Sequence, residues 1–280
     1  MPTIYHYCDA SAFLSIIQND ALWLSSLYSM NDTGELKYFL DKALPAVRKS
    51  INQYRAGDGF EFFSHTFKTE YYGACFSTDR DDLYQWQAYG QRGKGLAIGF
   101  RSEGLCNLAP MSFGLTGIDV RFRGPEKSAG HQIGIVPVQY MTQEQIKICA
   151  DSVAESVKTD AGGMLRSIQG IVSAINIISS TIKNEKFAAE KEYRLLYAPR
   201  IYETHEVGVK ETIEGPMTER KWRVGAYGLT PYFEFKGVRA HVIEVTLGPN
   251  CSEIHGEHLG DFLRAHGMNV QIIRSKSTLR

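Results

Sequence analysis

The hydrophobic and polar positions at the start of the chain alternate between strand and helix spacing. Apolar side chains fill two short runs, Thr3 to Cys8 and Ala21 to Ser25, that are typical of buried strands. Between them, Ser11 to Gln18 follows a helical period, and either Asp9 or Ser11 can cap that helix. The pattern therefore predicts a strand, a helix and a strand.

A longer amphipathic helix is predicted after Met30-Asn31-Asp32, where apolar residues recur at the 3.6-residue period. Pro45 lies inside this helix and should kink it. The pattern then predicts a strand from Tyr71 to Ser77 and a helix from Asp79 to Tyr89 with acidic residues in its first turn. A strand from Leu96 to Arg101 follows.

The segment between that helix and that strand, Gly90 to Gly95, looks like a phosphate-binding loop. It precedes a strand rather than a helix. Both the Walker and the Rossmann motifs require the opposite order, so neither is predicted.

The middle of the chain is predicted to be helical. Residues 102–134 are irregular, and Ile135 to Tyr140 resembles a strand that Pro137 would place at a sheet edge. A capping box, Thr142-x-x-Gln145, then opens a helix with one apolar face, and a second apolar helix follows. We expect residues 142–187 to form a helical hairpin inserted against the sheet.

Strand character returns in the last third of the chain. The predicted elements are strands at Glu192 to Tyr197, Tyr232 to Lys236, Ala240 to Leu247 and Val270 to Arg274, and a helix at Ser252 to His266. Strands at both ends with helices between them predict an α+β fold. We find neither repeat nor linker, so residues 1–280 are predicted to form one domain.

Charge and hydrophobicity restrict the partners. The 31 Lys and Arg are balanced by 31 Asp and Glu, so no bulk positive charge supports non-specific nucleic-acid binding. This overall balance does not exclude a local basic patch. No segment approaches the roughly 20 apolar residues that cross a bilayer, and Met1 to Tyr7 lacks the features of a secretory signal. We expect a cytoplasmic protein without a membrane partner.

Motifs for metal binding and for serine hydrolysis are missing from the sequence. The five cysteines stand too far apart for any CxxC pair, and there is no HExxH. GxSxG is also missing. We therefore predict no metal site and no hydrolase triad.

The segment Glu190-Lys191-Glu192-Tyr193-Arg194 holds the most suggestive polar cluster. Side chains two apart on a strand share a face, so Glu190, Glu192 and Arg194 are predicted to point the same way. Two carboxylates beside a guanidinium suit acid–base or oxocarbenium chemistry. The alternative is a solvated strand edge with a surface ion pair, which the motif alone favours.

Histidine and aromatic residues supply further candidates. His6 lies inside an apolar strand, where a satisfied core histidine is more common than a catalytic one. Trp86 and Tyr89 stand three apart on one helix face. They belong either to the core or to an aromatic wall for a planar cationic ring, and spacing leaves both interpretations open.

A set of motifs is spread over nearly the whole chain. They are Tyr5-His6-Tyr7, Leu22-Trp23-Leu24-Ser25-Ser26, Met30-Asn31-Asp32-x-x-Glu35, Cys75-Phe76-Ser77, Trp86-x-x-Tyr89, Gly95-x-x-Ile98-Gly99-Phe100, Glu190-x-Glu192-Tyr193-Arg194, Ile243 to Pro249 and Ile272 to Ser275. Together these motifs resemble the bacterial family catalogued as domain of unknown function 2971.

This family is in turn remotely similar to the ADP-ribosyltransferases. That similarity implies a split mixed or antiparallel sheet with flanking helices, and it matches His6, Ser77, Tyr89 and Glu192 to the functional positions, with Glu190 completing an ExE pair. Cys8 stands where family members usually have Thr, which removes a hydroxyl from a position that could contact a nucleotide.

The similarity implies cleavage of the bond between nicotinamide and ribose in NAD, which is a consumed substrate rather than a cofactor. Glu192 would hold the ribose 2′-hydroxyl with Glu190 beside it, His6 the adenosine ribose or a phosphate, and Trp86 or Tyr89 the nicotinamide ring. Further substrate-binding candidates from the family motifs are Tyr7, Asn31, Asp32, Ser77 and Arg194.

The acceptor of the ADP-ribose stays open among water, a protein side chain and a nucleic-acid base. Bacterial enzymes of this kind are often toxins or phage-defence effectors, so an antitoxin or a second copy of the chain is a candidate partner. Two alternatives are a non-catalytic nucleotide- or partner-binding module and a metal-independent nuclease that uses His6 and Glu192 as an acid–base pair.

Overall fold

The computed structural model describes residues 2–29, 33–53, 70–109, 111, 113–116, 119–122, 131–156, 175–204, 210–225 and 228–278. Its labelled helices are α1 (Ala10–Asn19), α2 (Thr33–Gln53), α3 (Leu83–Ala88), α4 (Ser102–Cys106), α5 (Gln143–Ser156) and α6 (Glu253–Ala265), and residues 175–179 are also helical. Short 3-10 helices occupy Leu27–Ser29, Gln91–Gly93, Glu185–Glu190 and Arg239–His241. Among these helices, none has both the length and the apolar character required to cross a bilayer.

The strands are β1 (Thr3–Cys8), β2 (Ala21–Ser26), β3 (Tyr72–Ser77), β4 (Leu96–Arg101), β5 (Phe113–Thr116), β6 (Asp119–Phe122), β7 (Gln132–Pro137), β8 (Gln139–Met141), β9 (Ile182–Asn184), β10 (Glu192–Ala198), β11 (Arg200–Thr204), β12 (Lys210–Glu214), β13 (Lys221–Gly225), β14 (Gly228–Lys236), β15 (Val242–Leu247) and β16 (Gln271–Arg274).

A ten-stranded mixed sheet forms the centre of the molecule. Eight strands follow the order β13-β14-β2-β3-β1-β4-β15-β16, and β10 and β7 branch from β3. Its pairs are antiparallel apart from β15 and β16, which run parallel and are joined through α6. The fold is therefore α+β, as the sequence predicts.

The sheet divides along β3. One edge of β3 pairs with β10 over its full length, from Tyr72 to Ser77. The other edge pairs with β2 at Gly73, opposite Ser25, and with β1 at Ser77, opposite Tyr5. Because β1 and β2 share one edge of β3 only at its two ends, they separate from each other over the residues between.

The main hydrophobic core explains why the chain opens as the pattern predicts. β1 pairs with β4 along its whole length, and its residue Ile4 is fully buried together with Ile17 of α1. Burying a side chain of this size stabilises the fold by about 1.5–3 kcal/mol. Asp9 caps α1 by accepting a hydrogen bond from the amide of Ala12 at 2.7 Å. Asp20 ends it in a left-handed conformation with φ of 49°.

A second core lies where α2 and α5 pack together. Phe39 of α2 and Ile146 of α5 are fully buried there, beside Ile182 of β9. The predicted capping box is present, because Thr142 and Gln145 exchange side chain to backbone hydrogen bonds of 2.9 and 3.1 Å.

The predicted hairpin over residues 142–187 is wrong at its end. Residues 182–184 form β9, which pairs in parallel with β8, and a 3-10 helix follows. The apolar run up to Ile182 has the same composition in a buried helix and in a buried strand, so periodicity alone does not separate the two. Residues 157–174 of the predicted second helix lie outside the described residues.

The helix predicted from Asp79 begins later, at Leu83. Asp82 is its N-cap and accepts from the amide of Gln85 at 2.9 Å, whereas Asp81 accepts from the indole of Trp86 at 2.7 Å. Aspartate side chains satisfy local donors in this way and so favour caps over helix interiors. The acidic residues therefore precede the first turn instead of occupying it.

The glycines between α3 and β4 serve close packing. A Cβ at Gly90 would lie 2.5 Å from the Trp86 ring, and one at Gly95 would lie 2.2 Å from the carbonyl oxygen of Cys8. The amides of Gly93 and Gly95 both donate to the carbonyl of Gly90. Since these donors are used within the loop, the segment is not a phosphate cradle.

Candidate functional site

A cavity of about 400 Å³ opens where β1 and β2 separate along β3. Its volume lies within the roughly 300–1,000 Å³ of small-molecule sites. Its walls come from β1, β2, β3, α1, β10 and β13, and its polar lining residues include His6, Ser25, Cys75, Tyr89, Lys183, Glu190, Glu192, Arg194 and Arg223. The structure thus brings most of the predicted site residues together around one space.

Four buried charged side chains meet at one end of this cavity. The Lys183 ammonium lies 2.6 Å from Glu190 Oε2 and 2.8 Å from Glu192 Oε2. The Arg194 guanidinium binds Glu192 at both carboxylate oxygens, with Nε 2.7 Å from Oε1 and Nη2 3.2 Å from Oε2. We call Lys183, Glu190, Glu192 and Arg194 the charge quartet. Two cations and two anions balance within it.

The backbone around Lys191 aims both carboxylates at one cation. Glu190 ends a 3-10 helix, and Lys191 then adopts a left-handed conformation with φ of 46° before β10 begins at Glu192. On a regular strand these carboxylates would stand about 6.5 Å apart along the axis. The left-handed residue breaks that spacing, so both side chains reach the ammonium of Lys183.

The predicted alternative of a solvated strand edge is wrong. β10 lies between β3 and β7, and Glu190, Glu192 and Arg194 are 4%, 6% and 2% exposed. A buried charge is tolerated only when it is paired and hydrogen-bonded. The quartet supplies that pairing, and Arg194 Nη1 also donates to the carbonyl of Ser180 at 2.8 Å.

Glu192 stays ionised at neutral pH. Burial alone would raise the pKa of its carboxyl, but the charges of Arg194 and Lys183, with hydrogen bonds from Arg194 and the Cys75 thiol, hold the pKa at about 2. Such a group acts as a fixed anion and hydrogen-bond acceptor and is unsuited to proton transfer near pH 7.

Cys75 connects Glu192 with His6. Its thiol bonds to Glu192, and its backbone carbonyl lies 2.9 Å from Nδ1 of His6. A carbonyl oxygen only accepts hydrogen bonds, so Nδ1 carries the proton and Nε2 of the neutral ring keeps a lone pair. Burial lowers the pKa of His6 below its usual value, which favours this neutral form at pH 7.

Two of the tyrosines that line the cavity, Tyr7 and Tyr89, are predicted site residues. Tyr89 is 39% exposed and forms part of the rim, where its ring is available for stacking. The hydroxyl of Tyr7 is committed to a loop, since it donates to the carbonyl of Asp79 at 2.7 Å and accepts from the amide of Asp82 at 3.1 Å. The hydroxyl of Tyr7 therefore holds the cavity wall in place, and the ring of Tyr89 is exposed for contact with a ligand.

Ser77 and Trp86, which are predicted to contact substrate, are not among the residues that line the cavity. The Ser77 hydroxyl is buried and donates to the carbonyl of Glu190 at 2.8 Å. Trp86 is fully buried, with its ring centroid 4.7 Å from that of Tyr7. Both residues position neighbours that do line the cavity. Asn31 and Asp32 lie outside the described residues.

The substitution at Cys8 does not affect the cavity. Its side chain is 5% exposed and belongs to the main core, on the strand that carries His6. A hydroxyl at this position would face the core, so its loss removes no group from the candidate site.

The lining residues that sequence reasoning missed include Lys183, Cys75 and Arg223. Lys183 follows the apolar run that ends at Ile182, and a lysine in such a setting was the available signal for a buried cation. The sequence assigns Cys75 no role beyond the family motif Cys75-Phe76-Ser77. Arg223 lies on β13, a strand that the pattern does not predict because its exposed residues Trp222 and Val224 are apolar.

Arg223 stands at the other end of the cavity. Its Nη2 donates to the Ser25 hydroxyl at 3.0 Å, and its guanidinium carbon lies 5.7 Å from the centroid of the Trp23 ring. Its Nε is buried and meets no acceptor among the described residues. An unsatisfied buried donor costs about 1–3 kcal/mol, so this atom requires an explanation.

Among the described residues, no three His, Cys, Asp or Glu side chains are grouped so that they could hold a metal ion.

A family model described as Protein of unknown function (DUF2971) matches residues 85–195, a segment that includes the whole charge quartet. The match supports the family assignment that the sequence motifs indicate. A comparison with curated proteins found no match, and neither did a comparison with solved structures.

Proposed function

We propose that this chain consumes NAD, cleaving the bond between nicotinamide and ribose as an ADP-ribosyltransferase or an NAD glycohydrolase. The observation that carries the proposal is the ionised carboxylate of Glu192, which lines one cavity with His6 and Tyr89 and is joined to His6 through Cys75.

In this reaction the glycosidic C–N bond breaks, and its electron pair leaves with nicotinamide and neutralises the ring. Positive charge develops on the ribose as an oxocarbenium-like species. Glu192 faces that charge and accepts a hydrogen bond from the 2′-hydroxyl. An acceptor oxygen or nitrogen then bonds to the ribose carbon and loses its proton to solvent. A fixed polar group of this kind contributes about 10²–10³ in rate.

The other lining residues orient the substrate. The free lone pair on Nε2 of His6 accepts a hydrogen bond from a ribose hydroxyl, and Tyr89 stacks on the cationic nicotinamide ring. Glu190 and Glu192 both pair with the Lys183 ammonium, so Glu190 weakens the electrostatic attraction between Lys183 and Glu192. NAD is the substrate, and this scheme requires no metal.

The sheet topology also supports the proposal. The similarity to ADP-ribosyltransferases implies a split sheet, and the separation of β1 from β2 along β3 provides one, with His6 and Glu192 on strands that flank β3. In the cytoplasm, where we place the protein, unchecked loss of NAD would harm the cell. That outcome agrees with a toxin or phage-defence role.

A non-catalytic nucleotide-binding module is the second candidate. The observation that favours it is the engagement of both Glu192 oxygens by Arg194 and Lys183, which leaves less of the carboxylate for a substrate. A nuclease with Glu192 as acid or base is disfavoured, because a carboxyl with a pKa of about 2 does not exchange protons near neutral pH.

The test is release of nicotinamide from NAD by the purified chain, alone and with protein or RNA as acceptor. We expect Glu192→Gln to lower the rate about 10²–10³-fold. The matched control is Glu257→Gln on the exposed face of α6, which should keep the rate of the unsubstituted chain.

NAD left intact under all these conditions contradicts the catalytic proposal. Thermal stabilisation by NAD without nicotinamide release would identify the binding module. Saturation at a hundred times the dissociation constant would stabilise the folded state by about 2.7 kcal/mol. Cleavage of RNA or DNA without NAD would identify a nuclease.

A further inference from the structure

We propose that the cavity end formed by Arg223, Ser25 and Trp23 is a binding site for a phosphate or diphosphate group. This site lies at the opposite end of the cavity from the charge quartet. The assignment of the ligand as the diphosphate of NAD rests on the proposed function. The preference of the site for phosphoryl oxygens rests on the residues themselves.

The charge balance of the cavity favours an anion at this end. The lining contains three cationic side chains and two carboxylates, and the quartet uses two of the cations and both carboxylates. Arg223 is the remaining cation, and no acidic partner for it is present in the described part of the chain. A negatively charged ligand group would complete the pairing.

The guanidinium is held ready for two ligand oxygens. Trp23 lies against it and the Ser25 hydroxyl accepts from Nη2, so its orientation is fixed while its buried Nε–H lacks an acceptor. The planar fork of arginine matches a phosphate better than a single-point lysine does. Ser25 adds a donor, because its oxygen accepts from Arg223 while its own O–H meets no acceptor within the described ranges.

The register of β3 gives the separation of the two ends along the strand axis. Glu192 of the quartet stands opposite Ser77, and Ser25 stands opposite Gly73 on the other edge. Four residues of strand span roughly 13 Å at about 3.3 Å each. A ligand with a ribose at the quartet and a phosphate at Arg223 would therefore lie extended along β3.

Calorimetric titration with inorganic pyrophosphate, ADP-ribose and nicotinamide riboside tests the site. We expect pyrophosphate and ADP-ribose to bind the unsubstituted chain and to bind Arg223→Gln at least tenfold more weakly. Nicotinamide riboside, which has no phosphate, should bind both equally. Arg264→Gln, an exposed arginine of α6 outside the cavity lining, serves as the control and should change none of the three affinities.

Arg223→Lys separates the fork from the charge. We expect an affinity for pyrophosphate between those of the unsubstituted chain and Arg223→Gln, since lysine keeps the charge but loses the paired donors. Thermal melting of Arg223→Gln should match that of the unsubstituted chain, because no bond to an acidic partner is lost. A clear fall in its Tm would assign Arg223 a structural role and overturn the proposal.

The remaining outcomes separate this site from the proposed function. Pyrophosphate binding that depends on Arg223, without any nicotinamide release, would support the site and count against NAD cleavage. Tighter binding of ADP-ribose than of pyrophosphate would identify a nucleotide as the source of the phosphate, and equal binding would identify free phosphate. If pyrophosphate does not bind, or binds Arg223→Gln as well as the unsubstituted chain, the site is wrong even where NAD is cleaved.

Discussion

The two ends of the cavity handle buried charge in opposite ways. In the charge quartet, Lys183 lies within 2.6 and 2.8 Å of two carboxylate oxygens, and Arg194 binds one carboxylate with two nitrogens. At the other end, Arg223 holds only a neutral hydroxyl and an aromatic ring, and its Nε has no acceptor among the described residues. The first arrangement pairs every charge within the folded chain, whereas the second gives Arg223 no acidic partner within the described ranges.

The surrounding strands account for the difference. β10, which carries Glu192 and Arg194, is paired on both sides, and desolvation there is severe unless charges offset it. β13, which carries Arg223, pairs with β14 at the end of the sheet path, and Arg223 keeps partial exposure. An unpaired cation is therefore tolerated on β13 and would be strongly destabilising on β10.

Lys183→Met should have the largest effect on stability. It leaves Glu190 and Glu192 buried without their shared cation, and loss of one partner of a buried pair costs about 3–5 kcal/mol. Urea denaturation followed by circular dichroism measures the loss. Lys191→Met is the matched control, because its ion pair with Asp79 is exposed and should contribute nothing measurable. Equal stability of the two variants would contradict a tightly coupled quartet.

Acid should remove the contribution of Glu192 within a defined pH range. Its pKa is lowered from 4.5 to about 2 in the folded chain, so it contributes roughly 3 kcal/mol that is fully present above about pH 4.5. This contribution is lost as the pH falls towards 2. His6, whose pKa is also lowered, adds a separate loss that begins as the pH falls below 6.5.

Comparison with Glu192→Gln isolates the carboxyl. The stability difference between the unsubstituted chain and this variant, measured by urea denaturation, should shrink between pH 4.5 and 2. A difference that stays constant over this range would show that Glu192 is not the group whose pKa is lowered.

Ser77→Ala should have an intermediate effect. The hydroxyl of Ser77 donates to the carbonyl of Glu190, and its loss leaves a buried acceptor with fewer partners at a cost of about 1–2 kcal/mol. Chemical denaturation measures this cost. Ser252→Ala is the control, since Ser252 stands at the N-cap of α6 without a side-chain capping bond. Indistinguishable losses would mean that Ser77 does not hold the quartet in place.

Arg223→Met should change stability least. It removes a buried donor that has no acceptor, together with the hydrogen bond from Nη2 to Ser25, and because the gain and the loss offset each other we expect Tm to stay level. Placing methionine at Lys183 and at Arg223 makes the same chemical change at the two ends of the cavity. A loss at Arg223 as large as that at Lys183 would remove the distinction between them.

Local pattern predicted much of this fold, because its strands and helices bury one periodic face. The bounds of β1 and β4, at Thr3–Cys8 and Leu96–Arg101, agree with the sequence prediction residue for residue. The pattern failed where tertiary contacts decide. β13 exposes its apolar residues, and β9 takes the end of an apolar run that also suits a helix.

The candidate site was predictable in part. Glu190, Glu192 and Arg194 were singled out because they lie close together in the sequence. The contact of both carboxylates with Lys183 was not predictable, because it depends on the left-handed conformation of Lys191. Sequence spacing also could not predict that Arg223 lines the same cavity as His6. The two residues are brought together by the pairing of β13 with β14, of β14 with β2 and of β2 with β3.

The most direct test of the account measures nicotinamide release by four chains: unsubstituted, His6→Ala, Glu192→Gln and the double variant. If both residues act on one bound dinucleotide, each single change should slow release at least tenfold, and the double change should slow it by less than the product of the two. Independent effects that multiply fully, or an unsubstituted chain that leaves NAD intact, would contradict the central claim that His6 and Glu192 serve one substrate in one cavity.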